Sequence, residues 1–144
     1  MAQNYYSELY FHFVWRTKGS LPLLVPAIRD QLWAEILRKS GELTAYPLEV
    51  GGTEDHVHLL VSAPPTLLLS EFIGRVKGST SHYVNHQLNA AHGLQWAEGY
   101  GVLSLAKKSV PAVRQYIQQQ AAHHRNRTAN ARMECCESDA QAAS

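Results

Sequence analysis

The sequence is poor in several features at once. Its only two cysteines are adjacent, Cys135-Cys136, in a polar stretch. They rule out a disulfide framework or a four-cysteine zinc site, and a reducing, cytoplasmic location is expected. Neither charge sign is in excess. Thirteen basic residues stand against 12 acidic ones, a net charge of +1, which excludes a strongly basic condenser of nucleic acid. Eighteen consecutive apolar residues occur nowhere, so no membrane span is expected. Met1–Tyr6 lacks a basic segment leading into an apolar stretch, so no signal peptide is expected either. Glycine and proline are sparse, and 45% of residues are hydrophobic, which describes one globular core in 144 residues.

The domain is expected over residues 1–128, followed by a polar tail, residues 129–144. That tail is rich in Ala, Ser, Gln and Glu without periodicity and reads as disordered. Residues 130–144 hold Arg132 against Glu134, Glu137 and Asp139, which leaves 12 basic and 9 acidic residues and a net charge of +3 on the body. A local basic patch for nucleic acid therefore remains open.

Glu8 to Trp15 alternates, with Leu9, Phe11, Phe13 and Trp15 on one face and Tyr10 and His12 on the other, as in a strand with one buried face. Asp30 to Lys39 reads as a helix stopped by Gly41, and Leu43 to Val50 as a second strand. His56 to Ser62 forms a third strand, ended by Pro64-Pro65. Thr66 is placed to cap a second helix through Val84, and Tyr100 to Ala106 is a fourth strand. Ser109 is placed to cap a third helix with Val110, Val113, Ile117 and Ala121 as its apolar stripe. The order β-α-β-β-α-β plus a helix predicts an α+β, ferredoxin-like split β-α-β antiparallel sheet. Two helices cover one sheet face, leaving Tyr10, His12, His56 and His58 together on an open one.

Three constellations carry chemistry. His56 and His58 sit two apart on a strand, roughly 7 Å from each other, where two imidazoles can share a divalent metal. Such a pair is also common on strand surfaces, but here the alternate residues are all apolar, so the core did not dictate the histidines. Tyr116 and Gln120 lie one helical turn apart, with His123 on the same flank. A tyrosine can act as a covalent nucleophile and an amide oxygen as a metal ligand, though either also suits a helix edge. Basic residues interleaved with aromatics, among them Arg16, Lys18, Arg75, Lys77, Trp96 and Tyr100, suit single-stranded nucleic acid as well as an ordinary surface. Gly74 and Gly78 weaken the second helix, which the close approach of another backbone or a phosphate would justify.

In order along the chain, five segments resemble motifs of the single-tyrosine HUH transposases, the insertion-sequence-200-like family with its REP-associated relatives. They are His12–Lys18, Asp55–Pro65, Val76–Ser81, Trp96–Gly101 and Val113–Gln120 with His123–Arg125. The resemblance implies a DNA transposase in which Tyr116 attacks a phosphodiester of single-stranded DNA and forms a 5′-phosphotyrosine. It implies that His56, His58 and Gln120 hold Mg²⁺ or Mn²⁺. It further implies a homodimer and substrates with hairpin ends, for which Arg16, Lys18, Arg75 and Lys77 are the expected DNA contacts. The alternative is a non-catalytic or host-adopted hairpin-binding descendant.

Overall fold

A computed structural model describes residues 4–88, 90–126 and 129–136. Among the described residues, four strands form one sheet: β1 (Tyr10–Arg16), β2 (Tyr46–Gly52), β3 (His56–Ser62) and β4 (Gly101–Leu105). Their spatial order is β2-β3-β1-β4, with every neighbouring pair antiparallel. Helices α1 (Pro26–Glu42) and α2 (Leu69–Tyr83) provide the two crossovers, so the fold is the expected ferredoxin-like split β-α-β. Two further helices follow, α3 (Val110–Gln118) and α4 (Gln120–Arg125). No helix among the described residues is long and apolar enough to cross a membrane.

The core forms where alternation along β1 and β3 is apolar. In register, Phe13 faces Leu59 and Trp15 faces Val57. These side chains are fully buried beneath Leu32 and Ile36 of α1 and Phe72, Ile73 and Val76 of α2. Trp15 meets Trp96 edge-on, with ring centroids 5.8 Å apart, which pins the loop before β4 to the core.

Several local expectations are corrected. Helix α1 begins one turn earlier than expected, with Pro26 in its first turn, where its missing N–H goes unused. It also runs past Gly41. The stop is at Thr44, whose φ of 73° puts it in the left-handed region. Thr44 N–H donates to Gly41 O at 3.0 Å and Ala45 N–H to Ser40 O at 3.1 Å, a Schellman closure with threonine where glycine is usual. Thr66 does not cap α2. Leu68 holds that position, and Ser109, although at the start of α3, makes no side-chain capping bond. Strand β2 lies at the sheet edge with a bulge between Pro47 and Glu49, where proline costs no ladder bond.

Nor is the second sheet face open. Helix α3 lies across β2 and β3, with Val113 and Ile117 packed on Leu60. Its seat is Gly51, where an added Cβ would fall 2.7 Å from the carbonyl oxygen of Ile117. By contrast, a Cβ at Gly74 would meet nothing within 4 Å among the described residues, so no approaching backbone there explains that glycine. Gly51→Ala should therefore lose about 1–3 kcal/mol by overpacking. Gly74→Ala should gain about 0.5–1 kcal/mol from helix propensity. Urea denaturation of the two variants checks both signs.

Candidate metal and nucleophile site

The same alternation that buries Phe13 and Leu59 turns His12, His56 and His58 to the other face. His58 stands opposite Val14 and His56 opposite Arg16, while His12 pairs with Leu60 and so lies diagonal to His58. Under α3 and the chain segment 130–136, none of the three histidines is more than 1% exposed. His56 Nδ1 is within 2.8 Å of an Asp55 carboxylate oxygen and 2.9 Å of Thr53 Oγ1. His58 Nδ1 is 2.8 Å from His12 Nε2. Both rings thus hold their Nδ1 side in the protein and present Nε2 to the same space.

Tyr116 and Gln120 enter that space from above. The helix expected to carry both is broken between them at Gln119 (φ −107°, ψ 25°), whose N–H is shared between the carbonyls of Gln115 and Tyr116. Gln120 is 1% exposed, and its Oε1 lies 3.0 Å from His56 Nε2 and 3.2 Å from His124 Nε2. Tyr116 stacks on His123 at 4.6 Å and meets His58 edge-on at 5.9 Å. The predicted nucleophile and the three predicted metal ligands are therefore together in one chain.

Sequence reasoning missed the group at their centre. Glu134 lies in the segment expected to be a structureless tail. Residues 130–136 have a defined course with a turn at 131–134, while residues 137–144 fall outside the described residues. One Glu134 oxygen is 3.0 Å from His56 Nε2 and 3.1 Å from His124 Nε2. The other is 3.0 Å from His58 Nε2 and accepts from Tyr116 Oη at 2.6 Å. Asn130 N–H donates to the same phenol oxygen at 2.8 Å. No pattern in the tail sets Glu134 apart from Glu137, so composition alone could not have singled it out. The tail's route is visible at Gly101, where an added Cβ would fall 1.9 Å from the carbonyl oxygen of Cys135.

The electrostatics follow from this packing. Burial, then the hydrogen bond to Glu134, push the Tyr116 phenol up to about 12, so it is protonated at neutral pH. Burial and the neighbouring His58 push His12 down to about 3. Burial also lowers His58. Burial opposes the charge on Glu134, but hydrogen bonds from His56 and His58 outweigh it and hold the carboxyl well below its ordinary range. Burial likewise opposes charge on His56, yet its bonds to Glu134, Asp55 and Gln120 raise it.

The donor set suits a divalent ion. Ligand atoms of His56, His124 and Glu134 all lie within 4.8 Å of one another, and His58 Nε2 and Gln120 Oε1 border the same space. Two imidazoles and an amide are neutral, and a carboxylate adds the charge that hard cations favour.

The four basic residues expected at DNA do not cluster. Arg16 lies on the histidine face, opposite His56. Lys18 follows β1 in a short 3₁₀ turn, exposed beside His92 and Gln95. Arg75 and Lys77 belong to α2, on the far side of the sheet. Arg75 is exposed, but Lys77 Nζ donates to the carbonyls of Ala97 and Gly99 at 2.8 and 2.9 Å and so ties the loop before β4 to the helix. Trp96 Nε1 returns a bond to Lys77 O at 3.0 Å.

These shifts set a pH dependence. Glu134 is depressed, so its contribution to stability is complete above the ordinary value of 4.5 and is lost as pH falls toward the folded value. His56 is raised, so its contribution is complete below 6.5 and is lost as pH rises through the folded value. The stability difference between wild type and Glu134→Gln should therefore be largest near about pH 5–6 and shrink in both directions. Urea midpoints at three pH values test this. A difference that keeps growing toward acid would contradict the pairing.

Comparison with known proteins places the chain among transposases. The family model described as "Transposase IS200 like" matches residues 5–120. The ISDra2 transposase TnpA of Deinococcus radiodurans is 28% identical over 127 residues, which cover 83% of this chain and 89% of that protein. A solved structure from D. radiodurans, described only as a candidate transposase, superposes with a TM-score of 0.65 at 25% identity, covering 83% of this chain and 96% of that one. The structure of a REP-associated tyrosine transposase bound to a REP hairpin shares the fold, with a TM-score of 0.63 at 13% identity over 86% of this chain and 73% of that one. With its sheet, its histidine pair and the match along most of its length, the chain belongs to the IS200-like transposase family.

Proposed function

We propose that this protein cleaves and rejoins single-stranded DNA through a covalent 5′-phosphotyrosine on Tyr116, at ends marked by a hairpin. One set of contacts carries the reading. The carboxylate of Glu134 touches Tyr116 Oη at 2.6 Å and the Nε2 atoms of His56 and His58 at 3.0 Å. An anionic group can thus meet the nucleophile and the histidines at once, as a scissile phosphodiester must. In the reaction, Tyr116 Oη forms a bond to phosphorus and loses its proton. The bond from phosphorus to the 3′ oxygen breaks, and that oxygen takes up a proton on leaving. The phosphotyrosine keeps the energy of the broken bond, so rejoining needs no nucleotide cofactor.

Mg²⁺ or Mn²⁺ held by His56, His58 and Gln120 would supply the positive charge that polarises the phosphate and makes a phenol this weakly acidic a usable nucleophile. Burial under α3 keeps bulk water from the phosphorus–oxygen bond. Arg16, Lys18 and Arg75 are the proposed phosphate contacts, and Lys77 serves by holding the loop at Ala97–Gly99. A hairpin is the ligand in the REP-associated relative, which supports the same class of partner here. A homodimer belongs to the same proposal. Within one chain, Tyr116 lies against its own His58, with ring centroids 5.9 Å apart.

Denaturing gels of full-length protein with labelled single strands flanking its own gene, in Mn²⁺ or EDTA, test the reading. Wild type should form a covalent adduct only with metal. Tyr116→Phe should form none yet still bind the hairpin, and His56→Ala should lose the metal-dependent cleavage. Tight hairpin binding without an adduct from wild type would favour the non-catalytic descendant instead.

A further inference from the structure

The two histidines of the pair are supported differently. His56 Nδ1 rests on Asp55 and Thr53, an acceptor-rich support that fixes a ring for metal binding. His58 Nδ1 rests on another imidazole, His12 Nε2, at 2.8 Å, with the ring centroids 5.0 Å apart. His12 is 1% exposed, and its remaining nitrogen, Nδ1, has no hydrogen-bond partner among the described residues. An imidazole buried with one nitrogen unpaired is a cost that an apolar ring of similar size would avoid. Packing alone therefore does not account for His12.

Resting on the metal reading above, we propose that His12 is a positioning residue that sets which nitrogen of His58 carries the proton. A neutral imidazole has one N–H and one lone pair. With the Glu134 carboxylate at His58 Nε2, that nitrogen carries the proton, Nδ1 offers its lone pair, and His12 donates from Nε2. With a cation at His58 Nε2, the lone pair must be there. The proton then sits on Nδ1 and is donated to His12 Nε2, and the proton of His12 moves to its Nδ1. Each ring holds one proton in both states, so the pair stays neutral while its hydrogen bond reverses. A carboxylate at this place could only accept. An imidazole does either, and so supports His58 whether Nε2 faces an anion or a cation.

Calorimetric titration of Mn²⁺ into the full chain without DNA tests this, beside ¹H–¹⁵N two-bond spectra of the histidines with and without Mg²⁺. His12→Phe keeps the ring and removes the acceptor, so Mn²⁺ binding should weaken by about 10- to 100-fold. His12→Gln puts an amide oxygen near the place of Nε2 and should restore affinity close to wild type. In wild type, Mg²⁺ should move the proton from Nε2 to Nδ1 on both His58 and His12. Wild-type affinity in His12→Phe, or a His12 ring unchanged by Mg²⁺, would overturn the proposal and leave the metal reading standing. Wild type that binds neither ion would overturn both. Should His12→Phe not fold, the wild-type spectra still decide.

Discussion

The two-residue alternation of β3 is the constraint on which the rest depends. Val57, Leu59 and Val61 enter the core beneath α1 and α2, and that commitment turns His56 and His58 to the opposite face. A slip of one residue against β1 would bury imidazoles in the apolar layer and put leucine and valine into the polar site beneath α3. Hydrophobic burial thus sets the register, and the register sets the histidine pair. The same pairing brings His12 of β1 diagonally against His58, so the pair and its support come from one ladder.

What closes over that face depends on bare backbone. Gly51 lets the Ile117 carbonyl come down onto β2, and Gly101 lets the chain at Cys135 cross β4. A side chain at either place would lift a covering segment. With both seated, a polar cluster of four histidines, a glutamine, a tyrosine and a glutamate is largely withdrawn from water. Such a cluster is tolerable only because its members bond to one another. The charge on Glu134 is spread over protonated or donating neighbours, and the Tyr116 oxygen both donates to Glu134 and accepts from Asn130.

Much of this was legible in the chain. The bounds of β3 emerge unchanged because apolar alternation ends at Pro64-Pro65, a stop that needs no tertiary help. His56, His58, Tyr116 and Gln120 were legible as types at fixed spacing, and their meeting follows once α3 folds back onto the sheet. Other features depend on contacts between distant segments. Thr44 takes the left-handed turn that Gly41 seemed to offer, because α1 continues until Ala45 must enter the core. Lys77 looks like any surface lysine until the loop from Ala97 to Gly99 is laid beside it. Glu134 is the extreme case. Its role depends wholly on where the chain beyond α4 travels, which no local periodicity encodes.

The break at Gln119 has a mechanical consequence. In a continuous helix, residues four apart keep a constant offset, and Tyr116 would carry Gln120 with it through every motion. Here they belong to two short segments joined at a single non-helical residue. The spacing between phenol oxygen and amide oxygen becomes a property of that joint. The angle between the two segments is therefore set by the backbone of Gln119 and by what each segment packs against, where an unbroken helix would have fixed it by its own geometry.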